Sequence, residues 1–137
     1  MKIHIGKKDT QFIAGYVPII VEDQEFDLSA ISDNECTEIL ANEILDEFDL
    51  GRLNDLVQTL ISKLRMGGKL VIGGTDILLF CKGVLDGSLT EVEWGNMITL
   101  KRSMTKTSVV LNGIRSMGLN VEIYDVNGVH YEITVRR

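Results

Sequence analysis

The stretch from Leu53 to Asp76 constrains the fold of this chain more than any other. Leu53, Leu56, Val57, Leu60, Ile61 and Leu64 recur at i, i+3, i+4, i+7, i+8 and i+11, one apolar stripe along a helix. Lys63 and Arg65 fall in its last turn, where cations favour the negative end of the helix dipole. Gly67 or Gly68 supplies a left-handed residue to end the helix, and Lys69 to Ile72 then reads as a short buried strand. Gly73-Gly74-Thr75-Asp76 closes that strand. A helix that feeds a buried strand through a tight turn is the αβ half of a parallel α/β unit.

The rest of the chain agrees with that architecture. Lys2 to Ile5 alternates and predicts a first strand. Tyr16 to Val21 predicts a second, with Pro18 marking an edge or a strand start. Cys36 to Ala41 predicts another, mostly buried. Thr75 or Asp76 caps a helix that runs from Ile77 to near Leu85 and stops near Gly87. Val110, Leu111, Ile114 and Met117 mark a last helix face, and Gly118 is its stop. Gly113 inside this helix costs about 1 kcal/mol against alanine, which close packing on the sheet would explain. Leu119 to Val126 and Val129 to Val135 alternate, and Asn127-Gly128 between them is a strong two-residue hairpin signal. The pattern predicts one three-layer α/β domain over 1–137, with about six or seven strands and a terminal antiparallel hairpin. His4 and His130 read as structural strand residues, and Trp94 as closing a core or an interface.

Composition sets outer limits. A chain of 137 residues buries roughly two thirds of its unfolded surface and needs no disulfide or metal staple. Its charge of −6, from 14 Lys+Arg against 20 Asp+Glu, argues against a general nucleic-acid binder. Local basic patches remain at Lys101, Arg102 and Lys106 and at Arg136 and Arg137. Cys36 and Cys81 lie in apolar segments and read as buried free thiols, without nearby histidines to make a zinc site. The start is strand-like rather than a signal peptide, and no apolar run reaches membrane-spanning length. A reducing cytoplasm is the default expectation.

Leu64 to Asp76 also resembles the "LKPGGKLVISVPD" segment of class I S-adenosylmethionine-dependent methyltransferases, with Met66 where that family has proline. Ile3 to Asp9, with Gly15-Tyr16-Val17, resembles the "LHIGGKE…GW" opening of a compact branch of the family. Ala41 to Phe48 resembles its "ASHVLEHF" segment. Together these cover nearly the whole chain. The resemblance implies a Rossmann-like methyltransferase fold whose mostly parallel sheet ends in an antiparallel hairpin. Helical cover is reduced, because Gly6 to Val17 is too short for a full crossover helix.

The resemblance further implies S-adenosylmethionine as cofactor. Gly6 and Lys7 take the loop whose backbone approaches the methionine part. The acid that holds the ribose aligns with Ile20, and Glu22, with Asp23 beside it, is placed to substitute. Asp27 approaches the adenine or caps a turn. Ala41 and Asn42 complete the cofactor set, at a strand's carboxyl end, where open α/β sheets bind ligands. Glu43 faces the acceptor, or the 43–48 stretch is an acidic helix turn; Asp76 lines the acceptor pocket or caps the next helix. No catalytic residue and no metal set is assigned, since methyl transfer from a sulfonium needs binding and alignment rather than a fixed triad. A Gly-x-Ser-x-Gly elbow and a P-loop are both absent.

Two functions follow: a small methyltransferase acting on an unidentified acceptor, or the same fold without cofactor, acting as a binding or assembly module. Such a stripped-down chain suits a bacteriophage or bacterial genome. With Ile3, Ile5, Ile19 and Val21 under a thin cover, the expectation is a homo-oligomer or a protein partner, with no membrane and no nucleic acid.

Overall fold

The computed structural model describes residues Met1–Arg137. Six strands form one sheet in the order β2-β1-β3-β4-β6-β5. β1 (Lys2–Gly6), β2 (Val17–Ile20), β3 (Cys36–Ala41) and β4 (Leu64–Thr75) are parallel. β5 (Asn120–Asn127) and β6 (His130–Arg136) form an antiparallel hairpin docked on β4 through β6. This is the mostly parallel sheet with a terminal hairpin that the sequence predicts. From the centre, β1 leads outward to β2 and β3 leads the opposite way to β4, so the topological switch point lies between β1 and β3.

Alternation decides what each face of the sheet carries. On one face Ile3, Ile39, Leu70 and Val135 stand side by side, followed by the row Ala41, Ile72 and Ile133. All seven are buried. α1 (Leu53–Lys63) covers this face with Leu56, Val57 and Leu60, and α4 (Thr107–Ser116) with Ile114. A short 3-10 turn at Leu45–Glu47 adds Leu45, with Ile44 and Phe48 at its flanks. The other face reads Lys2, Glu38, Lys69 in one row and His4, Leu40, Val71, Thr134 in the next. The 7–16 segment lies over part of it: Phe12 meets the His4 ring edge-on at 5.2 Å, and Ile13 N donates to His4 Nδ1 at 3.3 Å. The reduced helical cover expected from the short β1–β2 connection is this arrangement.

Several boundaries differ from the sequence reading. α1 is not stopped by glycine: Leu64 leaves it in an extended conformation and already belongs to β4. Gly67, at φ +76°, turns inside β4, where its N–H donates to the Arg137 carbonyl. The hairpin loop is Gly128-Val129 rather than Asn127-Gly128, because Asn127 pairs with His130. Gly128 at φ +64° takes the first loop position, as a type II′ turn requires. A third helix, α3 (Glu91–Leu100), follows α2 (Ile77–Asp86) where no helix was read. Cys81 is exposed, not buried, whereas Cys36 is buried as expected. Ile3, Ile5 and Val21 are buried, so the thin cover on this edge is confined to Ile19, Ile20 and Val17. No helix of the chain is long and apolar enough to cross a membrane.

Candidate functional site

Carboxyl ends of parallel strands gather the loops 7–10, 21–25, 42–47 and 101–105. Gly73 and Gly74 allow the 42–47 loop to close onto the sheet. A Cβ on Gly73 would stand 2.4 Å from the Asn42 and Tyr131 carbonyl oxygens, and one on Gly74 would stand 2.8 Å from Asp46 Oδ1. Into the space they leave, Asp46 sends a carboxylate that is 3% exposed. It accepts from Thr75 N at 2.7 Å, from Thr75 Oγ1 at 2.6 Å and from Lys101 Nζ at 2.8 Å. Its backbone carbonyl accepts from Arg102 and Ser103 N–H. The 101–105 segment is thereby fastened over the end of β4.

At the switch point Lys7 Nζ and Glu47 Oε1 form an ion pair at 3.6 Å. A cleft lies to each side of it. The larger, about 540 Å³, opens on the uncovered sheet face and is lined by His4, Lys7, Asp9, Asn42, Glu43 and Glu132 among others. Asn42 Nδ2 donates to Glu132 Oε2 across its floor at 3.2 Å. The smaller, about 340 Å³, is bounded by Val21, Asp23, Glu47, Lys101 and Arg102 among others. Arg102 reaches Asp23 at 3.3 Å along its rim. Burial holds the His4 imidazole below its usual pKa, against the opposing pull of Glu43. Its Nδ1 accepts from Ile13, so in the neutral ring Nε2 carries the proton.

The residues picked from sequence are only partly brought together. Lys7, Asn42 and Glu43 share the larger cleft. Of the two acids after β2, Asp23 lines the smaller cleft, while Glu22 lies in a tight bridge with Glu25 and is exposed. Gly6 underlies the switch point, but the space its Cβ would fill is held by the Thr10 side chain, 2.6 Å away. Ala41 is buried in the core below. Asp27 is exposed and accepts from Ser29 N at 2.8 Å, a turn cap whose hydrogen bonds hold its carboxyl below the usual range. Asp76 lies outside both clefts: its carboxylate caps α2 through Leu78 and Leu79 N–H and ties down α4 through Thr107 N and Oγ1. Burial raises the Asp76 pKa, and these hydrogen bonds outweigh it and hold the group below its ordinary value. Glu132 and Lys101 were not picked, since only the β4–β6 register and the 101–105 crossing bring them here.

Comparison with known proteins agrees with this geometry at the level of fold. The chain superposes on a SAM-dependent methyltransferase from Archaeoglobus fulgidus with a TM-score of 0.59 at 10% identity, over 90% of this chain and 68% of that one. It superposes on the PH0226 protein from Pyrococcus horikoshii OT3 with a TM-score of 0.60 at 13% identity, over 89% of this chain and 59% of that one. The fold is thus that of the S-adenosylmethionine-dependent methyltransferases. No protein-family profile matches the sequence, and no curated protein matches it.

The polar ends of the crevice suit the cofactor better than its floor does. A zwitterionic amino-acid tail needs a cation and an anion side by side, and Lys7 and Glu43 line one cleft. A ribose diol needs a carboxylate, and Asp23 lines the other. The glycine turn does not offer the family's open cradle, because Thr10 already packs on Gly6.

Proposed function

We propose that this chain binds S-adenosylmethionine across the β1/β3 switch point and serves as a small methyltransferase. The observation that carries the reading is the pair of clefts on either side of the Lys7–Glu47 ion pair, at the carboxyl ends of β1 and β3. Lys7, Asn42 and Glu43 would hold the amino-acid end, and Asp23 the ribose. The bound group supplies an activated methyl; the chain's part is to bind, orient and exclude water. The Lys7–Glu47 contact is long and half exposed, so it is worth at most about 1 kcal/mol and yields readily to a ligand. A second reading, the same fold acting without cofactor as a binding or assembly module, is favoured by the Thr10 side chain packed on Gly6.

Titration calorimetry with S-adenosylhomocysteine separates the two. The first reading expects saturable binding, weakened about tenfold, or about 1.4 kcal/mol, in Asp23→Asn and in Glu43→Gln. Absence of heat at millimolar ligand rejects it in favour of the second.

A further inference from the structure

Between β4 and α4 the chain makes an excursion, residues 77–100, whose two ends are fastened next to each other. Ile77 N donates to the Thr105 carbonyl at 3.1 Å, Thr105 N to the Thr75 carbonyl at 3.4 Å, and Lys101 is held on Asp46. The excursion is the α2–α3 pair, two consecutive helices in contact. Each has 10 residues, so the arm reaches about 15 Å. Its surface carries several large apolar side chains. α3 buries none of its side chains. Leu85 is 87% exposed, Val92 73% and Leu100 73%, and Leu78 and Ile98 are exposed as well. An apolar surface of this kind marks a contact.

Charge says what covers it. The arm's tip is acidic, with Asp86, Glu91 and Glu93 all exposed. Its base is basic, with exposed Lys106 and with Arg102, which also reaches Asp23. The acidic tip and the overall charge of −6 disfavour an anionic lipid surface or a nucleic acid. A surface that is acidic at one end, basic at the other and apolar between is complementary to itself when turned end for end. That is what a two-fold interface between identical chains demands. We propose that the protein dimerises through this arm: α2–α3 of one copy lies antiparallel on α2–α3 of a second, with each tip against the other's base, as in a four-helix bundle. The proposal does not rest on cofactor binding, although Leu100 and Arg102 also line the smaller cleft.

Sedimentation of the full chain tests it. The wild type is expected to be a dimer at about 10 μM. Leu85→Lys with Val92→Lys, both on well-exposed side chains, should give a monomer with unchanged circular dichroism. Charge reversal supplies the sharper arm. A tip variant, Glu91→Lys with Glu93→Lys, and a base variant, Lys106→Glu, should each dimerise at least about tenfold more weakly, and an equal mixture should recover a heterodimer. A wild type that stays monomeric to about 100 μM overturns the proposal. So does a dimer that survives the Leu85/Val92 substitutions, or a mixture that associates no better than its parts.

Discussion

Replacing Asp46 by alanine should be among the most damaging single changes in this chain. The carboxylate is buried and answers two donors of Thr75, its N–H and its hydroxyl, both themselves buried. Alanine leaves both without a partner, at about 1–3 kcal/mol each. Lys101 also loses its anion, but its side chain is 26% exposed, so water takes over the ammonium and this loss adds little. The sum is about 2–6 kcal/mol. Against a total of about 5–15 kcal/mol for a natural domain, that is a large share. The contacts from Arg102 and Ser103 N–H go to the Asp46 backbone carbonyl and survive the substitution, so the measurement reads the carboxylate alone. Asp46→Asn keeps one acceptor oxygen but turns an NH2 toward the lysine or the hydroxyl, and should cost about 1–2 kcal/mol. Urea unfolding followed by circular dichroism gives both values, provided the slope m is unchanged. A midpoint for Asp46→Ala within about 1 kcal/mol of the parent would refute the reasoning, because it would mean the two Thr75 donors find water.

Two further outcomes follow from single sites. Gly113→Ala should stabilise the chain by about 0.5–1 kcal/mol, since a Cβ there meets nothing within 4 Å and the residue is inside a helix; thermal melting checks it. Asp76 has a folded pKa below its ordinary 3.8, so its stabilisation is complete above that value and is lost as the pH falls through the lowered folded pKa. Urea unfolding between about pH 6 and 2.5 should therefore show a shallower acid loss in Asp76→Asn than in the parent.

How much of this was legible in the sequence depends on how local each signal is. β3 was read to the residue, Cys36 to Ala41, because strand periodicity and flanking turn residues sit within the element itself. The α1 stripe from Leu53 is local too and marks the helix, but its end at Lys63 comes earlier than the glycine stop at Gly67 or Gly68 that the sequence suggests. α3 was missed because its apolar residues do not lie on one face: Val92, Trp94, Met97, Ile98 and Leu100 circle the helix, and the period signal cancels. Gly67 was read as a helix stop because its left-handed φ is real; the sequence does not show that the C-terminal Arg137 pairs with it inside a strand. The candidate site divides in the same way. Lys7, Asn42 and Glu43 follow strand ends, and the structure brings them to one cleft. Glu132 is 90 residues from the Asn42 it bonds, and Thr75 is 29 residues from Asp46, so neither contact has a local signature.

A parallel sheet is normally buried on both faces and reads as continuous apolar strands. Here the strands alternate instead. β1 sets Lys2 and His4 against Ile3 and Ile5; β3 sets Glu38 against Ile39 and Ala41; β4 sets Lys69 against Leu70 and Ile72. The polar side is satisfied by cross-strand pairs on that face: Glu38 accepts from Lys2 at 3.2 Å and from Lys69 at 2.6 Å. Burial raises the Glu38 pKa, but hydrogen bonds from Lys69, Tyr16 and Lys2 outweigh it and keep the group charged. A face of this composition gains little from a covering helix, so the chain folds with a short 7–16 segment where a longer protein would place a full crossover. The consequence is access. With no helix in the way, the larger cleft opens along the sheet face from Val71 and Leu40 up to Lys7 and Glu43. The same composition moves the pressure to associate away from the sheet, whose bare face is largely polar, and onto the α2–α3 arm, whose exposed side chains are not.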